Sequence, residues 1–154
     1  MEIRKVSLKD KVVHNLIDKL DKYQLGLYGE ECCNLDSVEE LEKCNAYILG
    51  AYYCDELAGI GAIKLFDDYA EIKRMYFEEC YRGSGFAGNL LESLEQYSVA
   101  EGISLIYLET GYLQKAALSF YKKHGYREVH SFGNYKPNKV SIYLGKKLYS
   151  GQKG

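Results

Sequence analysis

The stretch that organises this sequence is Arg82-Gly83-Ser84-Gly85-Phe86-Ala87, which lies between a strand-like run and a helix-like run. Residues 69–77 before it have the pattern of a β-strand. Apolar residues recur after it at helical spacing, at Ala87, Leu90, Leu91, Leu94 and Tyr97. The two glycines remove side chains where the chain must turn, and they leave backbone N–H groups exposed at a helix start. Helix dipole and arginine add positive charge there, so the stretch predicts a phosphate or pyrophosphate site.

A glycine fingerprint is one interpretation of this stretch. Gly83, Gly85 and Gly88 spell G-x-G-x-x-G, and Glu109 follows about 20 residues later, as in dinucleotide-binding proteins. That fingerprint requires a tight turn directly after a buried strand. Here residues 78–82 intervene, and they are charged and too many for such a turn. A nucleotide-binding oxidoreductase is therefore the less favoured interpretation.

A family resemblance is the other interpretation. The pattern Arg82-x-x-Gly85-x-Ala87 matches the signature [RQ]-x-x-G-x-[GA], and residues 70–77 are similar to the strand that precedes it. A second conserved region is matched over residues 108–126, and the tail of small bacterial members over residues 132–148. The chain thus resembles the GNAT superfamily, the acetyl-CoA-dependent N-acetyltransferases, from about residue 46 onward.

The order of predicted elements gives the fold class. Strands are predicted at 2–6, 45–54, 57–66, 69–77, 104–109, 126–130 and 140–148, and helices at 8–28, 38–43, 84–101 and 113–124. We expect an α/β (α+β) fold with a mixed, mostly antiparallel sheet and helices on both faces. The resemblance implies a parallel strand pair that splays apart at the cofactor site. We expect one domain over residues 1–148 and a disordered tail over 149–154.

Composition narrows the class of protein. The chain has 154 residues, a net charge of −2 and 27% charged residues, which does not indicate a nucleic-acid partner. Its apolar runs are too short to cross a membrane, and its first residues lack a signal peptide's apolar core, so we expect a cytoplasmic protein. The five cysteines and three histidines have no metal-ligand spacing, so we expect reduced thiols and no metal site.

The resemblance also implies where acetyl-CoA binds. Residues 82–87 would hold the pyrophosphate, and the backbone of Met75, Tyr76 and Phe77 would bind the pantetheine amides like an added strand. A backbone N–H near Met75 would polarise the thioester carbonyl. Gln114 would contact the far end of the cofactor.

Three kinds of side chain are candidates for the chemistry. Tyr121 matches the family's usual general acid, which protonates the departing thiolate. Glu71 is the best candidate for a general base and Glu109 is the second; many members use a chain of waters instead. Arg74 could bind a carboxylate of the acceptor, or form a surface ion pair.

The predicted activity is direct transfer of an acetyl group from acetyl-CoA to a primary amine of a small, amino-acid-like or amine acceptor. A non-catalytic acyl-CoA-binding or sensing module on the same fold is the alternative, since it needs residues 82–87 but not Tyr121. A homodimer is common in the family, although no interface can be read from the sequence.

Overall fold

A computed structural model describes residues 1–7, 9–28, 46–133 and 139–148. The strands and α-helices in these ranges are β1 (Glu2–Lys5), α1 (Lys11–Tyr28), β2 (Tyr47–Tyr53), β3 (Glu56–Leu65), β4 (Ala70–Phe77), α2 (Phe86–Ala100), β5 (Leu105–Gly111), α3 (Lys115–Lys123), β6 (Arg127–Val129) and β7 (Ser141–Lys147), and a 3-10 helix covers Glu79–Tyr81. Their order is the predicted one. The predicted short helix at 38–43 and the predicted tail at 149–154 lie outside the described residues.

The strands of the described residues form one seven-stranded sheet in the order β1-β2-β3-β4-β5-β7-β6. Every neighbouring pair is antiparallel except β4 and β5, which run parallel. The mixed, mostly antiparallel sheet is therefore confirmed, as is the meander of β2, β3 and β4. A crossover through α2 returns the chain to the sheet beside β4, as parallel pairing requires.

The parallel pair opens into a V. Its register covers Ala70–Ile72 of β4 against Ile106–Leu108 of β5 and stops there. Beyond that point β4 follows β3, whereas β5 pairs with β7 as far as Gly111. The splay implied by the resemblance is thus present, and it separates the carboxyl ends of the two strands.

A β-bulge changes the direction of side chains in β4. Ile60 of β3 is opposite Tyr76 and Ala62 is opposite Lys73, so two residues of β4 face the single residue Gly61. An extra residue reverses the alternation of side chains. As a result Ile72 before the bulge and Met75 after it contact the same core cluster, although they are three positions apart.

Helices cover both faces of the sheet, as predicted. Val13, Leu16 and Ile17 of α1 pack on one face against a cluster that includes Ile60 and Ala62. α2 and α3 pack on the other face, where the larger core cluster contains Leu90, Leu91, Leu94, Tyr121 and Tyr126. None of the helices in the described ranges is long and apolar enough to cross a membrane.

Candidate active site

A cleft of about 480 Å³ opens between the splayed strands, mostly on the side of α2 and α3, and it reaches Leu20 of α1. Its walls come from the end of β4, the turn before α2, the first two turns of α3 and one residue of α1. The lining residues are Leu20, Met75, Tyr76, Phe77, Arg82, Gly83, Ala87, Leu113, Gln114, Lys115, Ala116, Ala117, Phe120 and Tyr121. Residues predicted separately from the strand, the glycine-rich stretch and α3 are therefore brought together.

The glycine-rich turn has the backbone conformation that its sequence predicts. Gly83 has φ 79° and Gly85 has φ 87°, a left-handed region that favours glycine. Gly85 is the N-cap of α2 and brings no side chain to accept from the first-turn N–H groups. Among the described residues, apart from the chain neighbours, no atom lies within 4 Å of where a Cβ would stand at either glycine. The helix start is therefore open for an anion.

The Arg82 side chain is held at the mouth of the cleft. Its Nε donates a hydrogen bond to the Phe77 carbonyl oxygen at 2.9 Å. Its guanidinium carbon lies 5.4 Å from the centre of the Tyr76 ring, in reach of a cation–π contact. The positive charge is thus fixed beside the end of β4 while the residue stays exposed.

Ser84, Phe86 and Gly88, in or next to this stretch, make contacts within the protein around the cleft. Ser84 Oγ donates to the Tyr81 carbonyl oxygen. Phe86 packs against Tyr53 at 5.6 Å between ring centroids. A Cβ on Gly88 would lie 2.9 Å from His124 Cε1, so this third glycine lets α2 approach the end of α3. The three glycines of the G-x-G-x-x-G pattern therefore have two roles. Gly83 and Gly85 leave the helix start open, and Gly88 allows α2 and α3 to pack closely.

Tyr121 is the ionisable residue of the cleft that is most deeply buried. Its ring meets those of Phe120 and Tyr126 edge-on at 5.2 and 5.6 Å, and 6% of its surface is exposed. Burial raises the pKa of Tyr121 well above the ordinary value near 10, because the phenolate would lose its hydration. The side chain is therefore a neutral phenol at physiological pH, able to donate a proton.

The two predicted carboxylates lie on the other face of the sheet. Ala70 and Ile72 share the core cluster of Tyr121, so Glu71 between them points away from it; Glu109 alternates with Leu108 in the same way. The Glu71 carboxylate is buried, with Oε2 3.4 Å from Lys73 Nζ. Glu109 Oε2 accepts a hydrogen bond from Ser141 Oγ. Neither residue lines the cleft.

Gln114 is fixed at the opposite wall. Its Oε1 accepts hydrogen bonds from the Gly111 N–H at 3.0 Å and from the Thr110 hydroxyl at 3.2 Å, which ties the N-cap of α3 to the end of β5. Arg74 lies at the bulge of β4, and its side chain is outside the described part of the structure.

Several cleft residues were not predicted from the sequence as site residues. Ala116, Ala117 and Phe120 share one face of α3 with Tyr121, because residues three or four positions apart lie along one side of a helix. Their spacing was a usable signal, but an apolar helix face is equally typical of a core. Leu20 and Leu113 come from elements whose approach to the cleft depends on the tertiary fold.

Comparison with known proteins agrees with this geometry. The sequence profile of the Acetyltransferase (GNAT) family matches residues 14–126. The chain is 35% identical over 147 residues to an IAA acetyltransferase of Azospirillum brasilense, covering 94% of this chain and 95% of that protein.

Solved structures have the same fold. A proposed acyl-CoA N-acyltransferase from Klebsiella pneumoniae has a TM-score of 0.82 at 28% identity, over 96% of this chain and 97% of that one. The PaiA N-acetyltransferase of Thermoplasma acidophilum, solved with coenzyme A, has a TM-score of 0.76 at 24% identity, over 96% and 98%. The glycine fingerprint is thus not that of an oxidoreductase: the chain belongs to the GNAT family of acetyl-CoA-dependent acetyltransferases.

Proposed function

We propose that this chain moves an acetyl group from acetyl-CoA directly to the primary amine of a small, amino-acid-like or amine acceptor. One observation carries the proposal: a buried, neutral tyrosine lines a cleft whose mouth is an open, positively charged helix start. Such a cleft has a place for an anion at one end and a proton donor at the other, which are the needs of a pyrophosphate-bearing thioester.

Acetyl-CoA would lie along the cleft with its pyrophosphate at residues 82–87. Gly83, Ser84, Gly85, Phe86 and Ala87 would contribute backbone N–H groups, and Arg82 a charge. The pantetheine amides would bind the backbone of Met75, Tyr76 and Phe77, since β4 leaves its parallel partner before these residues. The bulge supports this arrangement because it turns Met75 and Phe77 toward the cleft, and Gln114 would contact the cofactor from the facing wall.

The transfer step needs no covalent enzyme intermediate. The amine nitrogen attacks the thioester carbonyl carbon, the C–S bond breaks, and the electron pair leaves with sulfur. Tyr121 would give its proton to that sulfur and be reprotonated from solvent. A backbone N–H near Met75 would stabilise the carbonyl oxygen as it becomes negative.

The acceptor would approach from the face of the sheet opposite α2 and α3. Glu71 and Glu109 both lie on that face, so either could take the proton that the ammonium must lose, directly or through water. Arg74, at the bulge between the two faces, would bind a carboxylate of the acceptor. The acid and the base would then act from opposite sides of the thioester.

The substitution Tyr121→Phe tests this function. It keeps the ring contacts and removes the hydroxyl, so kcat for CoA release should fall roughly 10²–10⁴-fold, the usual worth of a general acid. Acetyl-CoA affinity should change little, because the hydroxyl matters as charge develops on sulfur. With the wild type, kcat should show no alkaline decline between about pH 7 and 9.5, since a raised pKa keeps the proton on the phenol.

Tyr53→Phe is the matched control, because Tyr53 is exposed and lies outside the cleft lining. The assay uses an amine taken from a panel with the wild type, and acetyl-CoA binding is measured separately by calorimetry. Full activity in Tyr121→Phe would remove this residue from the chemistry. Binding of acetyl-CoA without turnover on any amine would favour a sensing module.

A further inference from the structure

Three polar residues are bonded to one another beside the core that holds Tyr121; two of them are buried and the third, Lys146, is partly exposed. Glu95 is 8% exposed and Tyr126 is 2% exposed. The Tyr126 hydroxyl donates to Glu95 Oε2 at 2.8 Å. Lys146 Nζ donates to both carboxylate oxygens, at 3.1 and 3.3 Å, and lies 5.6 Å from the centre of the Tyr126 ring. We call these three residues the Glu95 network.

The Glu95 network joins three elements that are far apart in sequence. Glu95 lies in α2, Tyr126 follows α3, and Lys146 lies in β7. A buried carboxylate is stable only when its oxygens are bonded, and here two donors from two other elements supply the bonds. The position of α2 relative to the end of α3 is therefore specified by hydrogen bonds, which are directional, as well as by apolar packing.

Tyr126 connects this network to Tyr121 in two ways. The two rings are in edge-on contact at 5.6 Å with an interplanar angle of 69°. The Tyr126 N–H also donates to the Tyr121 carbonyl oxygen at 3.0 Å, across the turn that ends α3. Rotation of the Tyr126 ring or movement of its backbone would therefore displace the Tyr121 ring.

The same network reaches the opposite end of the cleft through α2. Glu95 is in the helix whose first turn forms the anion site, and α2 also approaches α3 closely at Gly88 and His124. Two contacts along one helix pair fix both its separation and its angle. The phosphate end and the thioester end of the cleft are thus held at a set distance.

We propose that Glu95, Tyr126 and Lys146 are positioning residues, which hold the Tyr121 hydroxyl where the sulfur of acetyl-CoA will lie. The inference rests on the proposed acid role of Tyr121. Proton transfer requires a heavy-atom distance near 3 Å, and a misplacement of about 1 Å can cost 10²-fold in rate. A buried carboxylate whose two oxygens are bonded by donors from elsewhere in the fold restricts the movement of the groups it joins, which would favour that accuracy.

The decisive variant is Tyr126→Phe, which deletes the bond to Glu95 and leaves the ring and the Lys146 contact. We expect kcat to fall roughly 10- to 100-fold, with acetyl-CoA affinity within about twofold of the wild type. In a Tyr121→Phe background the same substitution should cause no further loss, because it acts through the hydroxyl that is already absent. Lys146→Met should reproduce the effect, and Lys146→Arg should retain most of the activity.

Ser98→Ala is the matched control. Ser98 is also buried in α2, near the C-terminal end of that helix, and its hydroxyl donates to the Ile103 carbonyl oxygen at 2.7 Å. It should lower the melting temperature as much as Tyr126→Phe does and leave kcat unchanged. The melting temperature is measured for every variant. If Tyr126→Phe does not fold, the comparison of Lys146→Met with Lys146→Arg tests the inference instead.

Two outcomes would overturn the inference. One is an unchanged kcat in a folded Tyr126→Phe or Lys146→Met protein, and the other is an equal loss from Tyr126→Phe with and without Tyr121. Failure of the proposed function has a different signature, since Tyr121→Phe would then be fully active by itself. Comparison of the wild type, Tyr121→Phe, Tyr126→Phe and the double variant therefore distinguishes failure of this inference from failure of the proposed function.

Discussion

Glu71 and Glu109 occupy one face of the sheet but differ in the groups that surround them. Glu71 is 3% exposed and lies beside an ammonium group, with Lys73 Nζ at 3.4 Å. Glu109 is half-buried and bonded by the Ser141 hydroxyl. The alternation of charge along β4 raised the possibility of an ion pair on a solvated face. The pair exists, but the face is buried. Glu71 stays the first candidate for the proposed base, in an environment that differs from that of Glu109.

The choice of base is tested by Glu71→Gln and Glu109→Gln. If Glu71 is the base, its amide variant should lose roughly 100-fold in kcat/KM at every pH tested, since the amide cannot accept the proton. Glu109→Gln should lose no more than several-fold. The rates are measured by CoA release between about pH 6 and 8.

Glu128→Gln is the control for these variants, because Glu128 is an exposed acid in β6. A large loss in Glu109→Gln alone would reverse the assignment. Near-normal rates in both variants would show that water alone carries the proton to solvent.

At the scale of elements, the turn into α2 could be predicted from the sequence because it depends on a local backbone conformation. Gly83 and Gly85 have φ of 79° and 87°, a conformation that favours glycine, and this local requirement is visible in the sequence. The bulge in β4 was not readable, because it depends on the register against Gly61 of β3. The Glu95 network was also missed: its hydrogen-bonded partners are separated by 31 and 51 residues, and one acid in an apolar helix has no local signature.

The turn itself is tested by Gly85→Val with Gly102→Val as its control. The two glycines flank α2 with φ of 87° and 86°, and in the part of the chain that the structure describes no atom beyond their chain neighbours lies within 4 Å of a Cβ at either. The backbone strain should therefore be similar, about 1–2 kcal/mol in each. Only Gly85→Val should weaken CoA binding, because its side chain enters the space that the pyrophosphate needs.

Arg82→Ala extends this experiment to the charge. Loss of a charge-assisted contact worth about 1.5–3 kcal/mol should raise the Kd of CoA roughly 10- to 100-fold. Calorimetric titration gives the CoA affinity of each folded variant. The melting temperature reports how much the backbone strain destabilises each variant. Equal CoA affinity in Gly85→Val and Gly102→Val would exclude the turn as the pyrophosphate site.

At the scale of the whole molecule, the sheet separates two chemical environments. The face covered by α2 and α3 holds the cleft, Tyr121 and the Glu95 network, and the face covered in part by α1 holds the two carboxylates. In the V, β4 and β5 are no longer paired, so the two faces of the sheet are open to each other there. The element order and the family resemblance predicted this architecture; the acceptor could not be predicted, because no motif for it stands out in the sequence of residues 20–45 and 131–138.

The central claim is that the cleft binds acetyl-CoA. Thermal melting of the wild-type chain with acetyl-CoA, CoA and NAD tests it most directly, because it compares the three ligands on the intact protein. A ligand that binds only the native state adds about 2.7 kcal/mol at a hundredfold excess over its Kd, which corresponds to a rise of about 5–10 °C in Tm for a chain of this size. We expect that rise with acetyl-CoA and with CoA, and no change with NAD. A rise with NAD, or none with acetyl-CoA at millimolar concentration, would contradict the assignment of the cleft.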